Sequence, residues 1–126
     1  MLILDSGGVS RLSARTRTAL SLIGALQAHG LWPPVVPTMV LVESFHGDPR
    51  RDANTHRFLM MCIIEPTVSE SSARRAVEVR RRARAGSAVD ALVDASAEPG
   101  GMVLTGHRAD IEALAAHADA VAVEVV

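Results

Sequence analysis

Three acids stand out for where they fall in the chain. Asp5 ends the aliphatic run Met1-Leu2-Ile3-Leu4 and is followed by Ser6-Gly7-Gly8. Glu43 sits inside a mostly apolar stretch, and Asp90 lies in the opening turn of a helical segment that follows Gly86-Ser87. Carboxylates brought to one place repel unless a cation neutralises them. Oxygen-only ligation suits Mg²⁺ or Mn²⁺, ions that retain several waters and favour phosphate-bearing substrates. An ion held that way can activate a water and stabilise the leaving oxygen of a phosphodiester. Each acid also has a plainer reading. Asp5 alone reads as the N-cap of whatever follows it. Ser87-Ala88-Val89-Asp90 fits a capping box, and its acid also suits the helix dipole. For Glu43 the plainer place is a solvent-facing stripe, but Val42, Ser44 and Phe45 leave little room for one.

The elements that must position these acids follow from apolar periodicity and from Gly and Pro punctuation. The opening aliphatic run predicts a buried strand that delivers Asp5 to a sheet edge, with a tight turn at Ser6-Gly7-Gly8 and a polar, basic stretch over Arg11–Arg17. Ala19, Leu22, Ile23 and Leu26 recur at helical spacing, predicting a helix from Thr18 to Ala28 that stops at Gly30. Pro33-Pro34 forces an extended loop, Val35-Val36 is a short strand, and Thr38 caps a helix running to Gly47. After a polar turn comes a helix over Ala53–Met61, then the β-branched pair Ile63-Ile64, ended by Pro66. Ser69–Arg84 is strongly charged. Its pairs Glu70–Arg74, Arg74–Glu78 and Glu78–Arg82, each four apart, support an exposed helical face. A helix over Ala88–Glu98, a buried strand Met102–Thr105, a helix Ala109–His117 and a strand Ala120–Val125 complete the chain. Strands separated by helices imply a parallel sheet packed between helical layers.

The totals narrow the function classes. At 126 residues the chain is read as one domain with a sizeable core. Only 2% of residues are aromatic, so that core must be aliphatic and alanine-rich. The net charge of -1 gives no bulk attraction for nucleic acid, so a local patch is required. Cys62 is the single cysteine and reads as a small apolar core residue. No signal peptide or bilayer-length apolar run is recognisable, which points to a cytoplasmic protein without membrane contact. His29, His46, His56 and His117 show no zinc spacing, and there is no G-x-S-x-G elbow for a serine hydrolase.

Four short motifs occur together: Leu4-Asp5-Ser6-Gly7, Val42-Glu43, Ala88-Val89-Asp90-Ala91-Leu92 and Val103-Leu104-Thr105-Gly106-His107. In order and spacing they resemble the PIN domain, and most of all the VapC toxins of bacterial toxin–antitoxin pairs. The resemblance spans essentially the whole chain. It implies a single PIN-like domain over 1–126, a three-layer α/β sandwich with a central, mainly parallel sheet of four to five strands. It further implies a Mg²⁺- or Mn²⁺-dependent endoribonuclease, usually a homodimer, held inactive by a VapB antitoxin. On that resemblance Asp5, Glu43 and Asp90 are the catalytic metal-site acids, and Ser6 and Thr105 stand behind them. The alternative is a weakened or inactive binding module that keeps the antitoxin and dimer surfaces.

The family's fourth acid normally stands two residues beyond the threonine, and here that residue is His107. Three readings follow: His107 ligates a softer ion through neutral imidazole, Asp110 moves in from the next helix, or the second metal site is weakened. The residues offer a fourth. Asp94 follows Asp90 by one helical turn and Glu98 continues the row, so a cation there would relieve like-charge repulsion and Asp94 would partly replace the missing acid. The plainer alternative is a solvated acidic stripe. Candidate RNA-backbone contacts are Arg15, Arg17, Arg80, Arg81, Arg84 and Arg108. With no tyrosine and one tryptophan there is no base-stacking platform.

Overall fold

Leu2-Ile3-Leu4 is buried on both faces, as the central strand of a sheet covered on two sides must be. This strand, β1 (Leu2–Leu4), lies at the middle of a computed structural model that describes all 126 residues. The chain continues through α1 (Ser6–Ser13), α2 (Arg17–Ala28), β2 (Val35–Pro37), α3 (Val40–Ser44), α4 (Ala53–Leu59) and β3 (Ile63–Glu65). It then forms α5 (Glu70–Ala83), α6 (Ala88–Ala97), β4 (Met102–Thr105), α7 (Arg108–Ala115) and β5 (Ala122–Val125). All five strands are parallel, in the order β3-β2-β1-β4-β5.

That order means the chain moves outward from β1 to β3 and then returns to the other side of β1 for β4. With right-handed crossovers, the reversal places the helices before β3 on one face and those after it on the other. The packing agrees: α1 meets α2, α3 and α4, whereas α5, α6 and α7 meet one another. The result is the α/β sandwich expected, with its sheet wholly parallel. The core joins Leu2, Ile3, Leu4, Val103 and Leu104 to Val9, Leu12, Val40 and Phe58 on one face and Val79, Val93, Ile111 and Leu114 on the other. No helix is long and apolar enough to cross a membrane.

Several local expectations are corrected. Ser6-Gly7-Gly8 is not a tight turn but the first turn of α1, which then takes in Arg11. Both glycines are required by proximity rather than by turning. A Cβ on Gly7 would lie 2.5 Å from the Gly106 amide nitrogen, and one on Gly8 would lie 2.5 Å from the Leu104 carbonyl oxygen. Thr38 does not cap α3. Its hydroxyl donates to the Glu65 carbonyl and ties β2 to β3 instead, and α3 shortens to five residues. On α5, Glu70–Arg74 and Glu78–Arg82 pair as expected, but Glu78 takes Arg75 as its other partner rather than Arg74. The α2, α5 and α6 starts are capped by Thr16, Ser69 and Ser87, each hydroxyl accepting from the backbone three residues on.

Candidate functional site at the β1–β4 crevice

In open α/β sheets the crevice at the carboxyl ends of the strands, where the chain's direction of travel reverses, is the natural ligand site. Here it lies between β1 and β4. Their register aligns Leu4 with Leu104, so the next residues, Asp5 and Thr105, emerge side by side. Asp5 is buried, and its extended backbone starts α1: Oδ1 accepts from the Gly8 amide at 2.7 Å. Its other oxygen accepts from the Thr105 hydroxyl. Thr105 Oγ1 in turn accepts from the His107 amide at 2.8 Å, which fixes the hydroxyl proton toward Asp5. The His107 ring is largely exposed, with Nδ1 3.9 Å from Asp5 Oδ2. Asp5, Thr105 and His107 are therefore one hydrogen-bonded unit built from two strand ends.

The α6 helix packs on β1 and β4 and supplies the other acids. Asp90 closes the capping box, with Oδ2 accepting from the Ser87 amide at 2.9 Å and its own amide donating to Ser87 Oγ at 3.1 Å. The plainer readings of Asp5 and Asp90 as caps are thus both realised. Capping occupies only part of each carboxylate, since every carboxylate oxygen has two lone pairs. Asp94, one turn further, is fully buried and neither of its oxygens has a hydrogen-bond partner. Burial, then the charges of Asp90, Glu98 and Asp5, push its carboxyl up to about 7. The solvated acidic stripe, the plainer alternative for this row, is not what the helix presents: Asp94 is buried and Asp90 and Glu98 are partly so. Glu98 turns instead to Arg75, which grips it through Nε and Nη2 at 2.8–3.1 Å, and Glu98 also accepts from the Asp119 amide at 2.7 Å. The Arg75 guanidinium holds the Glu98 carboxyl below the usual carboxylate range.

Glu43 stands apart. Only Val40 of α3 is buried, Val42 is 83% exposed, and Glu43 faces solvent with no hydrogen bond or ion pair. The expectation that its helix leaves no room for a solvent stripe is overturned, because so short a helix buries a single position. Ser6 opens α1, partly buried, its hydroxyl without a protein partner. Asp110 is exposed in the first turn of α7 and makes no hydrogen bond or ion pair through its side chain. No three His, Cys, Asp or Glu side chains stand close enough to grip one ion unaided.

The arginines divide in the same way. Arg80 donates to the Gly86 carbonyl at 3.1 Å, and Arg108 pairs with Glu112 at 3.1 Å. Arg81 and Arg17 are exposed, and Arg15 and Arg84 are exposed with left-handed backbones (φ 57° and 51°). None of these arginines pairs with Asp5, Asp90 or Asp94; the basic group beside them is the His107 ring, 3.9 Å from Asp5. Cys62 contributes nothing here: burial pushes its thiol up to about 12, and its Sγ rests against the Phe58 carbonyl oxygen at 3.5 Å. Sequence reading missed Asp52, a buried acid that receives the His46 and Gly47 amides at 2.9 Å and braces the loop after α3.

Mg²⁺ is commonly held by one or two carboxylates with water completing its shell, and Asp5, with both oxygens oriented, is the acid that would take part in such a site. Compared with known proteins, the chain matches no family model and no curated protein.

Proposed function

We propose that the protein is a divalent-metal-dependent endoribonuclease of the PIN type, acting as the toxin of a VapBC-like toxin–antitoxin pair. The observation that carries the reading is Asp5, oriented by Thr105 at the β1–β4 crevice at the carboxyl ends of a parallel sheet, with the acid-bearing helix α6 packed on both strands. A bound Mg²⁺ or Mn²⁺ would supply there an activated water and charge to stabilise the leaving oxygen of a phosphodiester. The chain's own part is positioning. The Gly8 amide and the Thr105 hydroxyl fix the orientation of Asp5, Ser87 fixes that of Asp90, and burial excludes water from Asp94. Glu43 is a third ligand by resemblance only, since it faces solvent on α3. Arg15, Arg17, Arg81 and Arg84, free of ion pairs, are available to hold the RNA backbone. The antitoxin partner and the homodimer rest on the resemblance alone.

Two features favour a second reading, a binding module with little or no turnover: His107 at the fourth-acid position, and the lack of any ready three-ligand group. Cleavage of a mixed RNA pool with Mg²⁺ and with Mn²⁺ separates the two. Asp5→Asn keeps a competent cap and should abolish cleavage. Thr105→Val removes only the orienting hydroxyl and should lower cleavage about 10- to 100-fold. His107→Asp should raise it. No cleavage of any RNA by the unmodified protein or by His107→Asp, with either ion, would leave the binding module as the reading.

A further inference from the structure

The net charge of -1 conceals two halves of opposite sign. Residues 6–62, which include the α1–α4 layer, carry six arginines (Arg11, Arg15, Arg17, Arg50, Arg51 and Arg57) against three acids, Glu43, Asp48 and Asp52. Residues 63–126, which include the α5–α7 layer, carry seven arginines against ten acids. The arginine ion pairs follow the same division. All of them join residues between 70 and 112, and none of the six arginines before α5 has an acid within 4.0 Å. Two of the three acids in the first half are engaged by backbone. Asp52 is buried against the His46 and Gly47 amides, and Asp48 Oδ1 accepts from the Arg50 amide at 2.8 Å and the Arg51 amide at 3.4 Å. The loop between α3 and α4 is thus braced at both ends and presents Arg50 and Arg51 to solvent.

We propose that the α1–α4 face is the surface that holds single-stranded RNA, with Arg50 and Arg51 on the loop and Arg15 and Arg57 in the groove between α2 and α4 as its phosphate contacts. The assignment rests on the ribonuclease reading above. It selects, among the arginines free of ion pairs, those of this face over Arg81 and Arg84. Arg15 and Arg57 line one groove of about 310 Å³ together with Leu20, Ile23 and Met61, and no acid lines it. Two guanidiniums sharing a groove without a carboxylate repel each other, and a phosphate is the anion whose geometry suits the fork of each. The face also adjoins the crevice. Asp5 caps α1, whose last turn carries Arg11 and whose end leads to Arg15. Cations spread over a loop, a helix end and a groove suit a polyanion that runs across the surface. A single strand is the form that fits, because guanidinium planes can stack on unpaired bases where aromatic rings are lacking.

Binding of labelled oligouridine and oligoadenosine in EDTA, read by fluorescence anisotropy across a salt series, tests the surface without cleavage. Each phosphate held on a single strand contributes about 0.7 to the fall of log K with log salt. The double variant Arg50→Gln/Arg51→Gln should therefore reduce the slope by about 1.4, and Arg15→Gln/Arg57→Gln should do the same. Arg81→Gln/Arg82→Gln on α5 should leave it unchanged. All six positions are exposed, so each variant should keep the Tm of the unmodified protein. An unreduced slope in both variants of the α1–α4 face would overturn the assignment and leave the groove to an acidic protein segment. An equal reduction in the α5 variant would overturn it as well. In either case cleavage by the unmodified protein with Mg²⁺ or Mn²⁺ would leave the ribonuclease reading standing. If the unmodified protein neither binds these strands in EDTA nor cleaves RNA with either ion, both fall.

Discussion

Gly8→Ala should destabilise the protein by about 3 kcal/mol or more, the upper end of what forced overpacking costs. The new methyl would meet the Leu104 carbonyl oxygen at 2.5 Å, and that oxygen belongs to sheet backbone with no rotamer to change. Gly7→Ala should behave likewise against the Gly106 amide nitrogen, also at 2.5 Å. Both changes would pry the start of α1 from the end of β4, separating Asp5 from Thr105 and loosening the Gly8–Asp5 hydrogen bond. Gly24 is the internal control. It lies in α2, and a methyl added there would meet nothing within 4 Å, so Gly24→Ala should stabilise by about 1 kcal/mol through helix propensity. Denaturant midpoints should therefore fall below the wild type for Gly7→Ala and Gly8→Ala and above it for Gly24→Ala. Equal behaviour of all three would mean that α1 does not rest on β4 as described.

The same glycines show where sequence reading reaches its limit. Strands β1 and β4 were legible because unbroken aliphatic runs ending at polar residues have few other uses. Helices α2, α5 and α6 were legible through periodicity and their capping residues. Helix α1 was not, because Ser-Gly-Gly-Val-Ser is a poor helix former, and only the close approach to Leu104 and Gly106 explains its glycines. The neighbourhood of Asp5 and Thr105 likewise depends on strand register, a relation across 100 residues that no local pattern encodes. The acidic row on α6 was visible as spacing. Which of its acids is buried depends on how the helix packs against β1 and β4, and on Arg75 reaching Glu98 from α5. The expectation that the helix around Glu43 leaves no solvent stripe failed for a related reason: an apolar stretch predicts burial only if a neighbour covers it, and nothing covers Val42 or Glu43.

Asp94 should make the metal-free protein lose stability as pH rises from 4 to 8. Its carboxyl titrates near 3.8 in the unfolded chain and at about 7 in the folded one. The folded state therefore binds the proton more tightly, and the stability linked to that proton is fully present below about 4 and lost as pH passes through 7. A shift of this size corresponds to about 4 kcal/mol across the window. Five histidines titrate in the same range, so the informative quantity is the difference between wild type and Asp94→Asn measured in a chelator. An asparagine amide also lacks partners there, but that cost does not vary with pH and cancels in the comparison. The variant's advantage should thus grow by about 4 kcal/mol from pH 4 to pH 8. A difference that stays flat would show that water or a donor reaches Asp94 in solution.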